Sequence, residues 1–232
     1  TLWMRVPEQS RASLNYKIGN YINSGLFSSQ NGIKVEDFLQ KEFCNVLLLR
    51  DLKNEDKAFI TSIIARKLFT ILGKHHTKLK VDQFFDKNNY VNEIPNKVWL
   101  FIDEAHVVAP KDQNSPARDA LIEYVKRGRD AGLSLVMATQ QPSAIDDRIL
   151  SQVNLTINHR LTFQTDINAA TNRLPTKPLG SLKISGQEIN EFGSMIRLLE
   201  SGEAFISDHG TSRSVISIIR PRATAHGGYS PV

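Results

Sequence analysis

The sequence predicts an α/β fold, with a mostly parallel sheet sandwiched by helices. Three observations carry that expectation. Short apolar runs at 46–49, 98–102 and 133–138 are too brief for helices and lack the alternation of a half-exposed sheet, so they read as strands buried on both faces. Between them, apolar residues recur at helical spacing. The two patterns alternate, as they do in βαβ units.

Residues 1–40 resist assignment. Pro7, Gly19, Gly25 and Gly32 break up short apolar stretches there, which reads as irregular structure with small helices or strands. The strand at 46–49 comes next, with Cys44 beside it read as a core residue. A helix then follows, with Asn54 as its cap, Glu55 and Asp56 in its first turn, and Phe59, Ile60, Ile63, Ile64, Leu68, Ile71 and Leu72 as its apolar stripe. Gly73 suits its end, and 74–97 reads as a polar surface excursion in which Lys74, His75, His76, Lys78 and Lys80 form a solvated run or a DNA contact.

The strand at 98–102 ends in Asp103-Glu104. Ser115-Pro116 opens a helix carrying Ala117, Ala120, Leu121, Tyr124 and Val125, which Gly132 closes. The strand at 133–138 follows, then a short helix near 146–151 and a strand near 155–161. Beyond Thr171 the pattern predicts a helix near 187–199 and a hairpin with arms at 203–207 and 214–219, turned at His209-Gly210.

Composition restricts the function only weakly. The chain carries +5 formal charge over 232 residues, compatible with a polyanionic partner, although surplus lysines more often simply solvate a surface. A single cysteine precludes an internal disulfide and favours an intracellular, cytoplasmic setting. No apolar run approaches the ~20 residues that span a bilayer, so no membrane association is expected.

The strongest local pattern is the run from Val98 to His106. Ligands of open parallel sheets bind at the carboxyl ends of strands, where this acid pair falls. Such a pair can hold a phosphate-bridging Mg²⁺ and polarise an attacking water, and it can also simply end a strand and open a turn. Thirty-odd residues on, the run from Arg127 to Ser143 resembles the helix-to-strand block of the HerA/FtsK superfamily: Gly128-Arg129, Gly132, an apolar strand, then Thr139-Gln140, Pro142 and Ser143. Stretches from Ile149 to Asn154, at His159-Arg160-Leu161, at Gly202-Glu203-Ala204 and from Ile219 to Gly228 are similar to later parts of archaeal HerA proteins.

The resemblance covers about 45–228 and implies a RecA-like P-loop NTPase domain over 41–228, ending in a β-hairpin and tail. It implies that Asp103 coordinates Mg²⁺, that Glu104 is the catalytic base, and that Gln140 senses the γ-phosphate of ATP. Arg129 would be an arginine finger acting in trans, although basic residues also suit the end of a helix for its dipole alone. Arg220 and Arg222 would reach a neighbour's nucleotide, or belong to a basic, mobile terminus. Gln141 departs from the arginine usual at its position.

The implied activity is that of an ATP-driven DNA translocase or helicase acting in DNA end processing and repair. Its implied setting is a homo-hexamer around double-stranded DNA, with a NurA-type nuclease partner. A conjugation or secretion ATPase of the same superfamily, or a non-catalytic DNA-binding or assembly module, are the competing readings. No Gly-x-x-x-x-Gly-Lys-Ser/Thr loop occurs anywhere in the sequence, and Leu72-Gly73-Lys74-His75 lacks both the first glycine and the hydroxyl. Such a loop cradles phosphates, so the expectation is a chain without the N-terminal part of its ATPase, inactive by itself.

Overall fold

The computed structural model describes residues 6–23, 32–85, 94–174, 182–184, 187–189, 191–221 and 223. It divides into two compact units, 1–45 and 46–232. In the first, helix α1 (Glu8–Asn23) buries no side chain, and a 3-10 turn (Val35–Phe38) is closed by the Lys34 amide donating to Asp37 Oδ2 at 3.1 Å.

In the second unit, helix α2 (Asn54–Phe84) runs for 31 residues, about 46 Å at 1.5 Å per residue. It does not stop at Gly73. No Cβ built there meets another atom, so the helix passes through the glycine at only the modest cost of its backbone freedom. Its most buried face is Ala58, Thr61, Ser62, Ala65, Leu68 and Leu72, rotated from the expected stripe. The small residues let α4 (Pro116–Arg127), with buried Ala117, Ala120, Leu121 and Tyr124, approach closely. The larger aliphatics flank the contact. Asn54 is the first helical residue rather than the cap.

Strands β1 (Val98–Ile102) and β2 (Leu133–Met137) pair in parallel, Val98 opposite Leu133 and Ile102 opposite Met137. The expected strand at 46–49 does not form. Val46 and Leu48 are 75% and 82% exposed, because an apolar run is buried as a strand only where a sheet edge receives it. Nor is β1 covered on both faces: Trp99 and Phe101 are exposed and stack with ring centroids 6.2 Å apart. Cys44 is exposed as well, not in a core.

The loop entering β1 is pinned to α2. The ring Nε2 atoms of His75 and His76 lie 3.1 Å from Asn96 Oδ1 and 2.8 Å from the Asn96 carbonyl, so the histidine pair ties the helix to the loop, while Lys74, Lys78 and Lys80 of the same run are exposed. Gly132, at φ +71°, sits against the same loop, where a Cβ would lie 2.1 Å from the Asn96 carbonyl oxygen. Only glycine satisfies both demands.

The 3-10 turn Gly128–Ala131 joins α4 to β2, and Ser115 occupies the cap position of α4 without capping it. Its hydroxyl donates instead to the Val108 carbonyl at 2.6 Å, closing off the end of α3 (Ala105–Val108). After β2 come a turn at Pro142–Ala144 and α5 (Asp147–Leu150). Asp146, buried, caps α5 by accepting from the Arg148 amide and holds that residue's guanidinium at 2.9 to 3.0 Å.

The expected strand near 155 exists as β3 (Leu155–Asn158), but it runs antiparallel to β6 (Glu203–Asp208). β6 pairs with β7 (Arg213–Ile218) as the expected hairpin. The parallel part is therefore β1–β2 alone among the described residues. Helices α6 (Gln164–Thr171) and α7 (Phe192–Leu198) pack on the hairpin sheet through Ile167, Phe192, Met195, Ile196 and Phe205, with Phe192 edge-on to Phe205 at 5.1 Å. Two short antiparallel strands, β4 (Leu182–Ile184) and β5 (Gln187–Ile189), precede α7, and β5 takes the start of the region expected to be helical.

Two outcomes follow for stability. Gly132→Ala should lower it by about 2 kcal/mol or more, since the left-handed backbone alone costs an alanine ~1–2 kcal/mol and the Asn96 clash adds to that; urea unfolding reads the loss. The hydrogen bonds from Arg148 hold the Asp146 carboxyl below the usual carboxylate range. That contribution is present at neutral pH and is lost as pH falls below about 4, through the folded-state value. Urea midpoints measured down that range should fall less steeply in Asp146→Asn than in the wild type.

Candidate active site

The parallel ladder of β1 and β2 continues past both strands. The Ala138 amide donates to the Ile102 carbonyl at 2.9 Å, and the Ala105 amide to the Ala138 carbonyl at 2.9 Å. Residues 103–105 and 138–140 are thereby held side by side at the carboxyl ends of their strands. Glu104 adopts a left-handed backbone, φ 47° and ψ 49°, uncommon for a residue with a side chain. Asp103 supports it, its Oδ1 accepting the Glu104 amide at 2.9 Å. α3 starts at the next residue.

Gln140 Nε2 donates to Glu104 Oε1 at 3.0 Å. This joins the acid and the amide across 36 residues of sequence. The other carboxylate oxygen, Oε2, is shielded from water and has no hydrogen-bond partner among the described residues, although the side chain as a whole is 42% exposed. His106 Nδ1 lies 3.4 Å from Oε2, and that nitrogen is also 3.0 Å from Thr139 Oγ1. Thr139 Oγ1 in turn accepts the Gln141 amide at 3.0 Å.

The loops beyond the two strands are laced together. The Lys111 amide donates to the Ala144 carbonyl at 2.8 Å and the Asp146 amide to the Ala109 carbonyl at 3.1 Å, flanking a bridge between Pro110 and Ile145. Ser143 is anchored from α6, its amide and hydroxyl both donating to buried Asp166 Oδ1 at 3.1 and 2.7 Å. Each lacing bond limits the freedom of the segment that carries Gln140. None of this was legible in the sequence. Asp166 is one acid in a helix's first turn, with no local mark of a partner 23 residues away.

The structure thus brings Asp103, Glu104 and Gln140 together and leaves Arg129 apart. Arg129 is exposed on the turn before β2, at the opposite end of that strand from Gln140, and its guanidinium has no partner among the described residues. Arg220 is exposed just beyond β7, at the hairpin end where the Ile219 amide reaches the Gly202 carbonyl. Arg222 lies outside the described residues. The similar blocks at His159 and Gly202-Glu203 do meet, His159 Nδ1 donating to the Glu203 carbonyl at 2.8 Å.

For Mg²⁺ and a nucleotide the fit is half complete. Asp103 is exposed, with one carboxylate oxygen uncommitted to the backbone, and Glu104 presents a carboxylate beside it. No three-residue cluster of metal-ligating side chains is found among the described residues. The two described glycines with positive φ, Gly132 and Gly202, precede strands rather than helices, so neither forms a phosphate cradle. No helix among the described residues is long and apolar enough to cross a membrane.

No family model matches the chain. The DNA double-strand break repair helicase HerA of Sulfurisphaera tokodaii is 29% identical over 122 residues, 53% of this chain and 22% of that protein. HerA of Pyrococcus furiosus is 29% identical over 110 residues, 44% and 19% of the two chains. A probable helicase of Methanocaldococcus jannaschii is 22% identical over 128 residues, 55% and 23%. The chain spans about a fifth of the length of these curated relatives. Among solved structures, the genome packaging NTPase B204 of Sulfolobus turreted icosahedral virus 2, in complex with AMPPCP, superposes with a TM-score of 0.52 at 18% identity, over 83% of this chain and 74% of that one. The chain is thus similar in sequence to HerA helicases of the HerA/FtsK superfamily and shares the fold of a genome packaging NTPase.

Proposed function

We propose that this chain carries the acid-and-amide half of an ATP-hydrolysing site in a DNA translocase or helicase of HerA type. The observation that supports it most is the 3.0 Å hydrogen bond between Gln140 and Glu104, a contact between neighbouring parallel strand tips that neither residue needs for packing. The curated relatives' names supply the DNA end of the reading: double-strand break repair for HerA itself.

In this reading Asp103 holds Mg²⁺ through its exposed carboxylate. When bound, Mg²⁺–ATP supplies the phosphoryl group and the cation that draws charge from its oxygens. Glu104 orients the attacking water and takes its proton at a carboxylate oxygen. With Oε1 engaged by Gln140 and Oε2 shielded, the arrangement is a resting one, and Gln140 has to release Glu104 for the base to work. A phosphate oxygen is an anionic acceptor of the same kind as the carboxylate, so it can take over that amide when nucleotide binds.

Arg129 fits the role of a finger acting in trans. Placed at the far end of β2 and unpaired among the described residues, its guanidinium serves a nucleotide only across a subunit boundary, as in the homo-hexamer proposed here around double-stranded DNA. Arg220 and Arg222 belong to the same boundary in this reading. Cytoplasmic DNA-end processing beside a NurA-type nuclease completes it. The phosphate cradle has to come from polypeptide other than the described residues.

Duplex-stimulated ATP turnover by the native gene product tests the assignment. Glu104→Gln should lower turnover about 10²- to 10⁴-fold, the usual contribution of a positioned base, while nucleotide binding measured by calorimetry persists. Gln140→Ala should also slow turnover. Undiminished hydrolysis in Glu104→Gln defeats the proposal, and Arg129→Ala mixed with wild-type subunits should depress their shared activity more than dilution does.

A further inference from the structure

We propose that His106 is a positioning residue for Glu104, gripping Oε2 through its Nδ1–H while Gln140 grips Oε1. The inference rests on Glu104 being the catalytic base. It assigns a task to a side chain that acts through Glu104 rather than on the nucleotide.

The Thr139 hydroxyl suits either tautomer of His106, and the carboxylate beside it favours the one with the proton on Nδ1. His106 Nδ1 faces two oxygens at once, Thr139 Oγ1 at 3.0 Å and Glu104 Oε2 at 3.4 Å. A carboxylate can only accept. Were Nδ1 bare, its lone pair would face the lone pairs of Oε2, which is shielded from water and has no other partner among the described residues. With the proton on Nδ1, one N–H serves both oxygens, and Thr139 Oγ1 accepts it alongside the Gln141 amide. The hydroxyl has two acceptor sites, so both fit.

The contact at 3.4 Å is longer than a good hydrogen bond, as expected of a shared proton. It shortens if the carboxylate turns toward the imidazole. When Gln140 lets go of Oε1, His106 remains as the contact that keeps the carboxylate aimed. Thr139 and Gln140 are consecutive, so the sensor strand holds the base twice: directly through the amide and indirectly through the imidazole.

Imidazole ¹⁵N NMR of the chain tests the grip without nucleotide. Nδ1 of His106 should read as protonated, and Glu104→Gln should move the proton to Nε2, because the new amide turns its NH₂ group toward Nδ1. A bare Nδ1 in the wild type, or a tautomer indifferent to Glu104→Gln, overturns the proposal. In the native gene product, His106→Ala should lower kcat for ATP about 10- to 100-fold, the scale on which small misplacements act, with KM and thermal midpoint unchanged. His106→Asn, whose amide can occupy the place of Nδ1, should restore most of kcat. Wild-type kcat in His106→Ala with Glu104→Gln inactive sinks the role of His106 alone. Full activity in Glu104→Gln removes instead the assignment beneath it.

Discussion

Two backbone hydrogen bonds beyond the ends of a two-stranded parallel ladder decide what this molecule can do. Ala138 reaching Ile102 and Ala105 reaching Ala138 extend the register past the strands. Parallel strands present their carboxyl ends at the same edge. A one-residue slip would send the side chains of one strand tip to the other face, and Glu104 could then no longer meet Gln140. The left-handed backbone at Glu104 fits this requirement: the chain turns sharply enough to start α3 at once, while the carboxylate stays over the neighbouring strand.

Much of the surrounding polar structure braces that edge. Loops 109–111 and 144–146 are stitched by backbone bonds, Asp166 fixes the turn after Gln140, and Asp146 caps the helix that follows while holding Arg148. On the opposite edge, His75, His76 and Gly132 tie the start of both strands to α2. The strands are thus held at both ends by side-chain contacts, while one face of β1 stays open to solvent at Trp99 and Phe101.

The departures from expectation share a cause. The run at 46–49 is as apolar as β1, yet it stays exposed, because hydrophobicity says that a segment should be buried and not whether a partner edge exists. Gly73 marks a helix end in local terms, but contacts made by His75 and His76 give the helix a reason to continue. Ser115 stands at a helix start with the right residue type, and its hydroxyl finds a better acceptor in the Val108 carbonyl. At 46–49 the partner is missing; at Gly73 and Ser115 a contact outside the local stretch outweighed a preference worth ~1 kcal/mol.

By itself the sequence determined the α/β class, strands β1 and β2, helices α4 and α5, the C-terminal hairpin, and the candidates Asp103, Glu104 and Gln140. These depend on short-range periodicity, turn chemistry and motif order, all carried by neighbouring residues. Only the tertiary structure decided that Glu104 and Gln140 touch, that Arg129 stands at the other end of β2, that β3 joins the antiparallel sheet, and that His106 and Thr139 meet beside Glu104 while Ser143 meets Asp166. Those contacts join residues up to 53 positions apart, and the backbone path that closes such distances is set by packing, which no local stretch of sequence encodes.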